Sequence, residues 1–384
     1  MDIAMAGSGS STTNPRTHPS AGPVTGTGRL KARLSLTLTA SAVLILTLAC
    51  LGRAATVPPI SWSGDGRRVV LADRLSEGYG VYIFDTEGRR SSFIPFSYPV
   101  VAIKWPVSDR PIVLLARHTN GKYYLWTANP FGIIRRISAR PVYVHPGPSA
   151  NFFAVSPDCE QAAFASSTGG NVDIWKVGID LGADQRLTDS RGKDFDPVWS
   201  PDGRWIAFTS DRGGTLGIWL MSSGGRSVRK LIDGPGSEQH ATWSPDSQRI
   251  AFLSSGSEPG IYAVGLSGGA LRPIAVGGRN YFAPIWSSTG KWLAFSYGSN
   301  PTNIFTTPIG KAQGRGPYYQ ISFDRGNSVV TSLRSAAWSP GKDQLAFCTY
   351  EDGRLSIQIA SLSEKLGPVL KNIYSAPAVR IKRD

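Results

Sequence analysis

Two short polar runs carry the side chains best suited to chemistry. Asp194 and Asp196 stand in Asp194-Phe195-Asp196-Pro197, and Glu238 and His240 stand 44 residues later in Glu238-Gln239-His240. Carboxylates beside an imidazole can hold a cation, receive a basic peptide or bond a sugar hydroxyl. Tyr281 and Arg334 occupy matching places further along the chain. These six residues are the candidate binding site. No catalytic residue, metal ligand or cofactor is assigned, and a bound cation is the one small partner the acidic cluster would suit. A plainer reading competes, in which Asp196 only caps a turn ahead of Pro197.

Other motifs fail on their surroundings. Gly265-Leu266-Ser267-Gly268-Gly269 matches the spacing of a nucleophile elbow, which needs a strand-to-helix turn and a later histidine. The only histidines are His18, His118, His145 and His240, all upstream. Thr289-Gly290-Lys291-Trp292 resembles a phosphate loop, but Trp292 replaces the magnesium-binding hydroxyl and Ile285 the leading glycine. The histidines lack the close spacing of a metal site. Nucleic acid is not an expected partner, because the aromatics fall at repeat positions rather than on a basic face.

The polar runs belong to a repeat. Trp62, Trp105, Val155, Trp199, Trp243, Trp286 and Trp338 anchor seven units spaced 43, 50, 44, 44, 43 and 52 residues apart. Nine residues after each anchor stands Leu71, Leu114, Phe164, Phe208, Phe252, Phe295 or Phe347. The clearest copy reads Asp196-Pro-Val-Trp199-Ser200-Pro201-Asp202-Gly203, followed by Ile206-Ala207-Phe208. Pro, Asp and Gly supply turn chemistry after the first strand. The Ile-Ala-Phe run suits a strand buried on both faces. A third strand pairs an aliphatic with an aromatic, as in Ile218-Trp219, and a short fourth follows, as in Arg229-Lys230-Leu231. Trp199, Trp243 and Phe208 are expected in the core.

Four strands per unit of this length predict an all-β, seven-bladed β-propeller over residues 59–374, with six blades as the alternative. Blades cannot bury both faces alone, so they must stack into a ring. The candidate residues just before each anchor then lie near one mouth of the central channel. The two long spacings mark insertions at Arg140–Asn151 and Gly310–Arg334, the alternative places for a binding surface.

These units resemble the TolB-type repeat, a Pro-Asp variant of the WD-type repeat, most closely over residues 193–310. The resemblance implies a propeller and a role in binding proteins at the cell envelope. Similar repeats occur in the propellers of prolyl-oligopeptidase-like enzymes and of some sugar lyases. The lyases would require a histidine cluster that the spacing does not offer. The α/β domain that precedes the propeller in TolB has no counterpart here, and TolB has six blades.

The 384-residue chain carries a net charge of +14, spread along the sequence rather than gathered in one run. Its three cysteines, Cys50, Cys159 and Cys348, make no disulfide framework. Residues 1–33 read as disordered and end in Arg29, Lys31 and Arg33. Residues 34–51 form an apolar run without charge, long enough for a signal anchor or a signal peptide, with lipidation at Cys50 a third reading. The preceding cations orient the rest of the chain to the extracytoplasmic side, periplasmic or outer-surface. Residues 375–384 read as a basic tail. The expected partners are an envelope protein or a glycan, and the expected state is a monomer.

Overall fold

The computed structural model describes residues 58–377, except 76–77, 146–150, 181, 233, 235, 279, 299–302, 311–313, 315, 323–328, 331–334, 352–353 and 364–366. The apolar run and the polar leader lie outside the described residues, as does the end of the basic tail. Among the described residues no helix is long and apolar enough to cross a membrane.

The strands form seven antiparallel sheets, one for each repeat. In each sheet the strands follow in chain order from the inner strand outwards. The inner strands include Ile60–Trp62, Val100–Lys104, Phe153–Val155, Asp194–Trp199, Glu238–Trp243 and Tyr281–Trp286. The all-β propeller and its count of seven blades are therefore as the repeat spacing predicts.

In four blades the turn after the inner strand is held by its own side chains. Ser200 Oγ donates to Asp202 Oδ1 at 2.6 Å, and Asp202 accepts from the Arg204 N–H at 3.1 Å. Gly203 takes φ +73° there, which a side chain would resist. Ser63 with Asp65, Ser156 with Asp158 and Ser244 with Asp246 repeat the arrangement.

The residue nine after the anchor is the constant of the core. Phe208 pairs across the sheet with Trp219, Phe164 with Trp175, Phe252 with Tyr262 and Phe295 with Phe305. Leu71 faces Tyr82, Leu114 faces Trp126 and Phe347 faces Gln358. These seven second-strand residues are at most 1% exposed. Such cross-strand pairs stabilise a sheet directly.

The anchor tryptophans are less uniform. Trp62 Nε1 donates to the Ala337 carbonyl at 2.9 Å, Trp243 Nε1 to Val198 at 3.1 Å and Trp338 Nε1 to Ile285 at 3.1 Å, each reaching the preceding blade. Trp199 instead donates to Gly203 in its own turn at 3.2 Å and is only partly buried. Trp199 packs against the core cluster of Phe195, Ile206 and Phe208, as expected, from a partly buried position. Trp105, with no exposed surface, lies deeper.

Among the described residues no strand is shared between the first and last blades. The ring closes by packing of Ile60, Trp62, Leu71 and Phe84 against Cys348 and Ile357, with the Trp62–Ala337 hydrogen bond across the border. In the last blade Val329–Val330 and Ala336–Trp338 both pair with Gln344–Glu351. The long spacing before this blade is not one loop, since the outer strand Tyr319–Gln320 of the sixth blade lies inside it. The outer strand of the seventh blade runs to Pro377, three residues into the stretch read as a tail.

Candidate binding site

The three inner strands that carry most of the candidate residues share one irregularity. The register with the second strand shifts between Phe195 and Val198, between Gln239 and Thr242, and between Phe282 and Ile285. Within each bulge, the residue three before the tryptophan has positive φ: Asp196 at +52°, His240 at +58° and Ala283 at +25°. A bulge re-aims the side chain it carries. Left-handed backbone is uncommon outside glycine, though Asp and His tolerate it better than most. Ala283 adopts it too, so the bulge belongs to the repeat. What varies is the side chain that each blade places on it.

In the fourth and fifth blades the bulge brings Asp196 and His240 together. Asp196 Oδ2 lies 3.2 Å from His240 Nδ1, and both side chains are buried. The pair bridges the inner strands Asp194–Trp199 and Glu238–Trp243 of two blades.

Asp194 and Glu238 turn into networks of their own blades. Asp194 Oδ1 accepts from Ser210 Oγ at 2.6 Å, and Oδ2 accepts from Arg212 Nη2 at 2.5 Å. The Arg212 guanidinium in turn lies 4.9 Å from the Trp219 ring centroid. Glu238 Oε1 accepts from Ser254 Oγ and from the Gly236 N–H, both at 3.3 Å. Tyr281 donates its hydroxyl to the Val276 carbonyl at 3.2 Å. Burial, with Tyr318 and Tyr297 nearby, pushes this phenol up to about 12. Arg334 lies outside the described residues.

Two residues that sequence reasoning missed stand beside the pair. His145 stacks on Phe195 with centroids 4.8 Å apart and planes 7° from parallel. Asn151 Nδ2 donates to the Ala241 carbonyl at 3.2 Å, next to His240. Both come from the insertion Arg140–Asn151, so the anomalous spacing of 50 was their signal in the sequence. The start of this insertion bonds to the second and third blades. The Val142 N–H donates to the Tyr123 carbonyl at 2.8 Å, and the Tyr143 N–H to Ala165 at 2.7 Å. A cleft of about 480 Å³ runs along it, lined by Lys122, Tyr123, Pro141, Tyr143 and Thr168 among others.

Among the described residues, no three His, Cys, Asp or Glu side chains gather closely enough to hold a metal ion. The elbow-like Gly265–Gly269 run turns between Gly260–Gly265 and Arg272–Val276 and meets no helix.

The TolB beta propeller domain model matches residues 144–229, from the insertion through the fourth blade. No curated protein matches the chain. Among solved structures, an oligogalacturonate lyase from Vibrio parahaemolyticus is similar at 14% identity, covering 82% of this chain and 93% of that one with a TM-score of 0.59. A puromycin hydrolase complexed with PGG is 14% identical over 85% of this chain and 55% of that one, at a TM-score of 0.59. TolB from Acinetobacter baumannii is 21% identical over 68% of this chain and 64% of that one, at a TM-score of 0.49. At these identities the likenesses to lyase and hydrolase speak for the fold alone. Residues 144–229 thus match the TolB-like β-propeller repeat, and the fifth blade carries the same Trp-Ser-Pro-Asp turn at Trp243–Asp246.

Proposed function

We propose that the chain is a non-catalytic binding propeller of the cell envelope, taking an envelope protein at the mouth where Asp196 meets His240. The supporting observation is the fate of the acidic groups. Asp194 is held by Arg212 and Ser210, and Glu238 by Ser254, which suits structure rather than proton transfer. What remains is a buried carboxylate–imidazole pair joining two blades, with the aromatic insertion stacked on the neighbouring Phe195. The two described cysteines are buried between blades, and so offer no nucleophile there. The TolB-like repeat and the cations ahead of the apolar run favour an extracytoplasmic setting.

The test is capture from detergent-solubilised envelope by the full chain, compared with Asp196→Ala/His240→Ala. The double variant should lose the captured protein while its melt stays close to that of the parent. Retained capture would move the site to the insertion. Turnover of oligogalacturonides or peptides by the parent would overturn the non-catalytic reading, and retention on a glycan array would replace the protein partner with a sugar.

A further inference from the structure

Residues 141–144 of the insertion lie between two hairpin turns. On one side, 118–121 join two strands of the second blade, and the Gly121 N–H donates to the His118 carbonyl at 2.9 Å. On the other side is the turn after Gln161–Ser166 of the third blade, where Ser166 Oγ and Thr168 Oγ1 lie 3.1 Å apart. Ser166 Oγ also donates to the Pro141 carbonyl at 2.7 Å, and Tyr123 and Val142 pair as an isolated bridge. Bonds to both blades thus fix the walls of the cleft of about 480 Å³ before anything enters it. That volume falls in the range of small-ligand pockets.

The chemistry of the walls is one-sided. Lys122, Tyr123, Tyr143, Ser167 and Thr168 bring an ammonium, two phenols and two aliphatic hydroxyls, and no acidic side chain lines the cleft. Among the described residues the Lys122 ammonium and the Tyr123, Tyr143 and Ser167 hydroxyls have no partner of their own. The apolar part of the wall is the two tyrosine rings with Pro141, Val142 and Val144. A cationic ligand would meet no carboxylate here. A neutral sugar, rich in hydroxyl donors, would find no side-chain carboxylate or amide to accept them. A carboxylate carried on an apolar chain suits both parts, since it accepts from the ammonium and the phenols while its flank covers the rings.

We propose that this cleft takes a short acidic peptide segment, with a carboxylate at Lys122 and a proline or aliphatic flank on Tyr123 and Tyr143. Aromatic-lined grooves suit extended, proline-containing chain, which has little conformational freedom left to lose on binding. This site is separate from the Asp196–His240 pair, and its test does not depend on that reading.

Fluorescence polarisation with the full chain in detergent uses a dye-labelled hexapeptide of alternating proline and glutamate, its proline–glutamine counterpart, and glucuronate as competitor. The glutamate peptide should bind more tightly than the glutamine peptide, and more weakly as salt rises. Lys122→Gln should weaken the glutamate peptide roughly fivefold, since an exposed ammonium contributes less than a buried one, and leave the glutamine peptide unchanged. Lys122→Arg should keep most of the binding. Ser167→Trp, at an exposed position, should fill the cleft and abolish binding of both peptides with the melt unchanged. Asp196→Ala/His240→Ala should bind the glutamate peptide as the parent does. No binding by the parent, or equal binding by the parent and either Lys122→Gln or Ser167→Trp, would overturn the proposal. Loss of binding in the Asp196–His240 double variant would overturn it in favour of that pair, and displacement by glucuronate in favour of a sugar acid.

Discussion

Closure without a shared strand makes the border between the seventh and first blades the weakest of the ring. Every other pair of adjacent blades is also joined by continuous chain. Two native thiols report on this difference. Cys348 sits in the closing border and Cys159 between the second and third blades, both with no exposed surface. Burial pushes both thiols up, Cys159 to about 11, so neither reacts near neutral pH until its border opens. In a Cys50→Ser background, labelling by a disulfide reagent should reach Cys348 well before Cys159. Trp62→Ala sharpens the contrast. Its indole is 3% exposed among Leu71, Phe84 and Cys348 and donates to Ala337 across the border. Truncating a buried aromatic of this kind costs about 3–5 kcal/mol. At about 1.4 kcal/mol per factor of ten, the open population rises roughly a hundredfold to a few thousandfold. Cys348 labelling should accelerate by that factor while Cys159 lags behind. Equal labelling of the two thiols in the parent, or equal acceleration in Trp62→Ala, would refute the closing border as the first to open.

Phe208→Ala should cost about 3–5 kcal/mol in denaturant melts, and Trp199→Ala clearly less because its ring is partly exposed. Arg212→Met should destabilise by about 3–5 kcal/mol, because it leaves the buried Asp194 carboxylate without its cation. Adding Asp194→Asn should recover part of that loss in a double-mutant cycle. The Asp158 carboxyl is held below its ordinary value by hydrogen bonds from Ser156 Oγ and the Glu160 N–H. Its contribution is therefore present above about pH 4 and lost as pH falls through the folded value. Asp158→Asn should make the acid limb of a melting-temperature profile shallower, and an unchanged limb would remove this turn from the explanation.

The fold was legible because packing between blades demands large apolar residues at fixed intervals. Phe208 and its six counterparts declare themselves at a constant offset from the anchors. The site was legible only in part. Alignment to the anchors put Asp196 and His240 in corresponding places, but their meeting depends on a bulge that a repeat count cannot show. Asp194 and Glu238 share those places and point elsewhere, because Ser210, Arg212 and Ser254 on the second strands and their following turns claim them. Ser210-Asp211-Arg212 was visible in the sequence. Its role was hidden, since the bond to Asp194 is made across strands. His145 and Asn151 were beyond alignment altogether, lying in the one insertion that has no counterpart in the other blades. The extra pairing of Val329–Val330 in the last blade escaped notice for a similar reason, as Trp338 still stands nine residues before Phe347.

Each sheet is cut from one uninterrupted piece of chain, and the borders of the repeat coincide with the borders of the sheets. In a ring whose last sheet borrows a strand from the opposite end, copying or deleting one unit disturbs the shared sheet. Here such an event adds or removes a whole sheet and leaves the rest of the hydrogen bonding as it was. The number of blades is then free to drift during descent by duplication of a single gene segment, which fits a seven-membered ring built from a repeat that elsewhere closes with six. It also follows that newly copied blades begin as near-identical neighbours. The side chains that now differ on the bulges, Asp196, His240 and Ala283, are where their histories have since diverged.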